Sequence, residues 1–203
     1  MRLYIASCPG RLLAKTSGGG GPGIGIRGST WIHTWCRASK ICGSANDYRF
    51  IVSHGLDRFV RYTGLDISAK NIANARRRFP DTKFIQASVL NIPAETGQYE
   101  YIFAHDLFEH LSPAAFEKAI SEVLRVAKKE VWLSFFNMHD IPGHEFHDVG
   151  KYHLNRLSAN RTVGLCLEHA ANVEVVDVPR LVSSKFGYPA YYNSSARSIV
   201  IGV

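Results

Sequence analysis

From about residue 46 onward, short apolar runs alternate with stretches in which apolar residues recur every three or four positions, the pattern of a parallel sheet covered by helices. The strand-like runs are RYTGLDI, KFIQASV, YEYIFAHDL, EVWLSFF, VEVVDV and SIVIGV. Helical periodicity falls near residues 68–79, 113–127 and 158–170. In the second of these stretches Phe116, Ile120, Val123, Leu124 and Ala127 share one face and are expected to meet the sheet. Ser112 followed by Pro113 has the chemistry of an N-cap and a first helical residue. No internal repeat is visible.

Residues 1–38 break the pattern. RLYIAS could form a short strand, but SGGGGPGIGIRG is so rich in glycine that backbone entropy opposes a regular element, and the whole stretch reads as an irregular arm ahead of a domain spanning 39–203. With 203 residues, 46% hydrophobic and 20% charged, the chain can bury one sizeable core and is expected to form one globular domain. Cys8, Cys36, Cys42 and Cys166 make no CxxC pair and no disulfide framework, and no basic start leads into an apolar leader, so a reducing cytoplasm is the expected setting. No apolar run approaches the roughly 20 residues of a membrane span. The formal charge of +7 suits an anionic partner such as nucleic acid, but charge bears on association rather than on fold.

The strongest local signal is YTGLDISAKNIANARRRFP, where an apolar strand ends in Asp66 and a helix begins almost at once. Open α/β sheets bind ligands at this carboxyl edge. A carboxylate there can accept hydrogen bonds from both vicinal hydroxyls of a ribose. It can equally cap the following helix, alone or with Ser68. The segment by itself leaves both readings open.

Taken together, YTGLDIS, FIQASVLNIP and YEYIFAHDLFEHLSPAAFEKAISEVLRVAKKEVWLSF resemble the class I S-adenosylmethionine-dependent methyltransferases, especially the small single-domain group with an FDxVxxxxVLEHL-like segment. The resemblance covers about residues 42–179. It implies a Rossmann-like seven-stranded sheet, mostly parallel with an antiparallel last strand, here SIVIGV, and helices on both faces. It also implies S-adenosyl-L-methionine as methyl donor.

The resembling family carries a loop of the form LDxGCGxG, whose glycines let the backbone approach the methionyl part of the cofactor. Matching on CGS brings Cys42, Gly43 and Ser44 into that loop, with Ala45 and Ile41 where glycines are usual and Ser39 where an acid is usual. The 23 positions from Gly43 to Asp66 agree with the spacing of about 20 expected between glycine loop and ribose acid. The upstream GGGGPGIG has no clear strand before it or helix after it and lacks the context that such a motif needs. CRASKI, with Arg37 and Lys40, makes a poor central strand, and STWIHTW is the alternative source of it.

The resemblance further implies cofactor contacts from Asp66 and Ile67, from Ser88 and Val89 near the adenine, and from Ala104 beside the transferable methyl group. Ser88 stands where the family often has an acid. His105 and Asp106 are candidates for the floor of the pocket, against ordinary polar residues at a strand end, and His110 reads as a helix-start residue satisfied by its neighbours. The loop NMHDIPGHEFHDVGKYH holds four histidines among carboxylates, but its spacing matches no common zinc pattern and no metal is assigned to it. In the resembling family this region often covers the acceptor, which makes His144 or Tyr152 a candidate base or substrate-orienting group, with Asn155 and Arg156 as further polar candidates.

AHDL lacks the signature that resembling enzymes use on nucleic-acid bases, and the basic run Arg76, Arg77, Arg78 suits the carboxyl end of a helix better than a phosphate contact. A small-molecule methyl acceptor therefore leads, with RNA behind it and no membrane. Two functions of different class follow: an active methyltransferase, or a methyltransferase-like protein that has lost catalysis and serves as a binding or structural partner. The replaced loop positions favour the second, and Asp66 and Asp106 favour the first.

Overall fold

The computed structural model of the chain describes residues 29–34, as backbone, together with 45–188 and 191–203. Nine strands and five helices are assigned among them: β1 (Ser29–Thr34), α1 (Asn46–Ser53), β2 (Val60–Asp66), α2 (Ala69–Arg78), β3 (Lys83–Gln86), β4 (Tyr99–His105), α3 (Pro113–Val126), β5 (Ala127–Phe135), β6 (Met138–His139), β7 (Leu157–Ser158), α4 (Ala159–Leu167), β8 (Asn172–Asp177), α5 (Val178–Phe186) and β9 (Arg197–Gly202). Seven strands form one sheet in the order β3-β2-β1-β4-β5-β9-β8, and β6 pairs with β7 separately. β9 runs antiparallel to both β5 and β8, and the other pairs of the large sheet are parallel. STWIHTW thus supplies the central strand, and the sheet begins within the stretch read as an arm. Cys42, Gly43 and Ser44, with Ser39 and Ile41, lie outside the described residues.

Strand order reverses between β1 and β4, the topological switch point at which doubly wound sheets open a crevice. Because alternate strand residues face opposite sides, β2 contributes to two cores. Tyr62 packs with Ala45, Ile72, Ala75 and Phe84 under α1 and α2, while Leu65 joins the larger core with Ile102, Val131, Ile199 and the α3 residues Phe116, Ile120 and Val123. Each such apolar side chain contributes about 1.5–3 kcal/mol by leaving water.

Gly64 permits the close approach of β3. A Cβ at Gly64 would fall 2.5 Å from Cδ1 of Phe84 and 3.2 Å from Cε1 of Tyr62. Gly64→Ala is therefore expected to destabilise the fold by about 1–3 kcal/mol through overpacking. Urea denaturation measures it, and a loss below about 0.5 kcal/mol would contradict this packing.

α2 ends in Arg76, Arg77 and Arg78, which donate to Phe84 O, Asn74 Oδ1 and Asn46 Oδ1 at 2.7, 2.8 and 3.1 Å. The basic run is thus engaged with its own chain. α3 begins at Pro113 with Ser112 as N-cap residue, although the Ser112 side chain makes no capping bond. At its other end α3 passes directly into β5, in which the buried Ala127 is followed by the polar residues Lys128, Lys129 and Glu130. No helix of the described residues is long and apolar enough to cross a membrane.

Candidate functional site

Asp66 closes β2 at the carboxyl edge of the sheet, and Ser68 is the N-cap of α2. The Asp66 carboxylate is 1% exposed. Oδ1 accepts from the Ser68 N–H at 2.6 Å and Oδ2 from the Asn71 side-chain amide at 3.0 Å. The helix-anchoring role is therefore present. An ionised carboxylate has about four lone-pair sites, so these two bonds leave acceptor capacity unused. Burial raises the Asp66 pKa above its ordinary value, and the Ser68 and Asn71 bonds oppose the rise.

Ala45 caps α1 with φ 61 and ψ 41, the left-handed conformation that glycine adopts freely and that costs an L residue about 1–2 kcal/mol. The position matched in the sequence to a loop glycine thus adopts a conformation that glycine favours. Ala45 is nonetheless packed into the smaller core at 1% exposure.

The other sequence-predicted cofactor residues divide by exposure. The Ile67 side chain is 46% exposed, whereas Val89 and Ala104 are buried in the larger core and could offer a ligand only their backbone. Ser88 Oγ accepts from the Leu90 N–H at 3.2 Å in the turn that follows β3.

Beyond β4 the chain turns sharply. Asp106 has φ 50, and its N–H donates to Ser134 O at the end of β5. The His105 ring stacks on Phe103 at 6.0 Å and meets Phe136 edge-on at 4.8 Å. Asp106 Oδ1 lies 3.4 Å from His110 Nε2. His110 Nδ1 lies 3.0 Å from His153 O, and the His110 ring touches Tyr152. Burial works against a charged His110, but Asp106 and the His153 carbonyl outweigh it and raise the pKa above its ordinary value.

Glu109, in the same turn, is 1% exposed. Its Oε1 accepts from the Phe136 N–H at 2.7 Å, and among the described residues Oε2 has no partner. Burial first, and then the charge of Asp106, push its pKa up to about 7. Glu109 was not anticipated, whereas the sequence marks His110 as satisfied by its neighbours without singling out Asp106 as the partner. Spacing alone does not signal that pairing, because Asp106 lies outside any helix and reaches His110 through the left-handed turn at φ 50.

His144 stands apart from this group. Its Nδ1 accepts from the Ser158 N–H at 3.1 Å, and its ring packs on Phe116 and Phe146. Burial, then Arg161, lowers its pKa. Asn155 is fully buried: its amide donates to Leu111 O at 2.7 Å and accepts from the His147 N–H at 3.2 Å, so it ties the histidine-rich loop to the turn after β4. Arg156 pairs with Glu145 at 2.6 Å. No group of three or more histidine, cysteine, aspartate or glutamate side chains able to share a metal ion occurs among the described residues.

Residues 41–130 match the family described as a methyltransferase domain. No curated protein matches the sequence significantly. The fold is similar to that of an S-adenosylmethionine-dependent methyltransferase from Mesorhizobium loti, at a TM-score of 0.63, 12% identity and coverage of 88% of this chain and 93% of that one. It is also similar to Burkholderia thailandensis 1,6-didemethyltoxoflavin-N1-methyltransferase, solved with 1,6-didemethyltoxoflavin and S-adenosylhomocysteine, at a TM-score of 0.58, 9% identity and coverage of 87% and 71%. The [4+2]-cyclase SpnF matches at a TM-score of 0.57 and 12% identity, covering 87% and 74%. The comparisons thus give a methyltransferase-domain match over residues 41–130 and a Rossmann-like fold. The cyclase illustrates that this fold alone does not fix the reaction.

Proposed function

We propose that the chain is an S-adenosylmethionine-dependent methyltransferase acting on a small-molecule acceptor. The observation that carries this reading is Asp66: a carboxylate at the end of β2, beside the switch point between β1 and β4, with acceptor capacity left after it has anchored α2. The cofactor would supply a methyl group already activated on a sulfonium sulfur.

The chain's part is binding and alignment, from which much of the rate gain in such transfers comes. Asp66 would hold the ribose. Cys42, Gly43 and Ser44, ahead of α1, would hold the methionyl end, with the Ala45 backbone fixing the turn into that helix. Ile67, Ser88 and Val89 would border the adenine, and Ala104, His105 and Asp106 would lie beside the reacting centre. Tyr152 would face the acceptor, while the bonds of His144 suit support of the loop. A small-molecule acceptor is in keeping with the similarly folded Burkholderia thailandensis methyltransferase, solved with 1,6-didemethyltoxoflavin bound.

The second reading is a methyltransferase-like binding protein without catalysis. It draws on the burial of Asp66 and on the strained alanine at position 45. Calorimetric titration with S-adenosylhomocysteine tests whether the cofactor site operates. Methyl transfer from S-adenosylmethionine to candidate acceptors then separates an enzyme from a binder.

A further inference from the structure

The sheet register sets Asp66 and a row of rings on one face. Leu65 of β2 and Ala104 of β4 both pair with Thr34 of β1, so the residues that follow them, Asp66 and His105, stand level on the same side. Two strand spacings, about 10 Å, separate their strands. The His105 ring stacks on Phe103 and meets Phe136, just past β5, edge-on at 4.8 Å. Phe136 in turn meets Tyr192 at 6.4 Å, and Tyr192 lies 4.9 Å from Tyr191 in the approach to β9. Three separate segments of the chain thus bring their rings to one edge of the sheet.

The backbone holds this row in place. The Phe136 N–H donates to the buried Glu109 at 2.7 Å, and the Phe136 carbonyl accepts from the Asn193 side-chain amide at 2.7 Å. Asn193 Oδ1 accepts from the Ser195 N–H at 2.9 Å, and Ser195 O from the Met138 N–H at 3.2 Å. Asn193 therefore fastens the segment that carries Tyr192 to the one that carries Phe136. The Tyr192 ring, beside that fastening, is nevertheless 80% exposed. Small-molecule sites are lined mostly by such apolar and aromatic surface, and in open α/β sheets they lie at this edge.

We propose that His105, Phe136 and Tyr192 form the acceptor wall of the site, and that the acceptor is a flat aromatic compound rather than an aliphatic one. This rests on the transferase reading above. A cofactor with its ribose at Asp66 and its adenine toward Ser88, beyond β3, points its sulfonium end the other way, across β1 to His105. The acceptor must lie in line past that end. Phe136 and Tyr192 are the next rings in that direction. A planar ring gains from offset or edge-on contact with each of them. A saturated ring system of the same skeleton buries similar area without that gain.

The full-length protein, saturated with S-adenosylhomocysteine and titrated calorimetrically, should bind 2-naphthol at least about 10-fold more tightly than decahydro-2-naphthol. Tyr192→Ala and Phe136→Leu should each weaken 2-naphthol binding about 3- to 10-fold, the worth of one aromatic pair, and leave S-adenosylhomocysteine binding unchanged. Phe136→Leu keeps both backbone bonds at that position, and Tyr192→Ala removes an exposed ring, so folding is not at stake in the second variant. The proposal is overturned if the cofactor-loaded protein does not bind 2-naphthol, if it binds the two ring systems equally, or if either variant binds 2-naphthol as wild type does. A protein that does not bind S-adenosylhomocysteine overturns the transferase reading itself, and the acceptor wall falls with it.

Discussion

Glu109→Ala should destabilise the protein by about 3 kcal/mol or more, whereas Glu109→Gln should be tolerated at neutral pH. The alanine variant leaves the Phe136 N–H without its acceptor at 2.7 Å, which costs about 1–3 kcal/mol in a buried setting, and opens a cavity where the side chain was. Glutamine keeps an oxygen for that N–H.

The same residue imposes a pH signature. Its pKa is raised from 4.5 to about 7, so the folded state holds the proton more tightly than the unfolded one. The stabilisation is fully present below pH 4.5, declines as pH rises, and is gone once pH passes about 7. The raised pKa corresponds to about 3 kcal/mol over that window. Denaturant titrations at several pH values should show this decline in wild type and a much flatter line in Glu109→Gln. Equal slopes in the two proteins would contradict the burial of an ionisable group at this position.

The second large effect is at Asp66. Removing a charged acceptor from a ribose should cost about 1.5–3 kcal/mol of binding, or roughly 10- to 150-fold in affinity for S-adenosylhomocysteine. Asp66→Ala also strips the Ser68 N–H and the Asn71 amide of their acceptor, so part of its effect would be loss of fold. Asp66→Asn separates the two. Its amide oxygen can still accept from Ser68, and Asn71 can turn its own oxygen toward the new amide, but the charge is gone. A variant that melts near wild type and binds at least 10-fold more weakly supports the ribose role. Near-wild-type affinity would leave Asp66 only as the anchor of α2.

Much of the sheet was legible because its strands are apolar runs bounded by turn residues. β2, β4 and β9 lie within one residue or two of the runs that marked them, since burial on both faces forces continuous apolar sequence. β5 was read too short because its first residue, Ala127, continues the helical pattern and the exposed Lys128 and Lys129 that follow hide the strand until Glu130. α1 was missed: NDYRFIVS follows a degraded glycine turn, and its apolar residues Tyr48 and Ile51 make sense only once Tyr62 and Phe84 are known to lie beneath them. α5 was missed despite Asp177 and Pro179 at its start, a valid cap and first-turn pair, because only nine residues follow.

The candidate site was legible in part. Asp66 declared itself by standing at a strand end just before a helix, but its double use by Ser68 and Asn71 is a matter of side-chain geometry that no spacing encodes. The pairing of His110 with Asp106 needed the left-handed turn at Asp106, and the His153 carbonyl reaches it from 43 residues away in sequence. The surroundings of His144 were not legible either: its ring meets Phe116 and its Nδ1 accepts from the Ser158 N–H, contacts between segments well apart in sequence.

The central claim is that the carboxyl edge around Asp66 holds an adenosyl cofactor, and titration calorimetry of the full-length protein with S-adenosylhomocysteine tests it most directly. The account predicts one-site binding with a Kd of about 100 μM or tighter, equivalent to at least about 5.5 kcal/mol. Neither heat nor a thermal shift at millimolar ligand would contradict it.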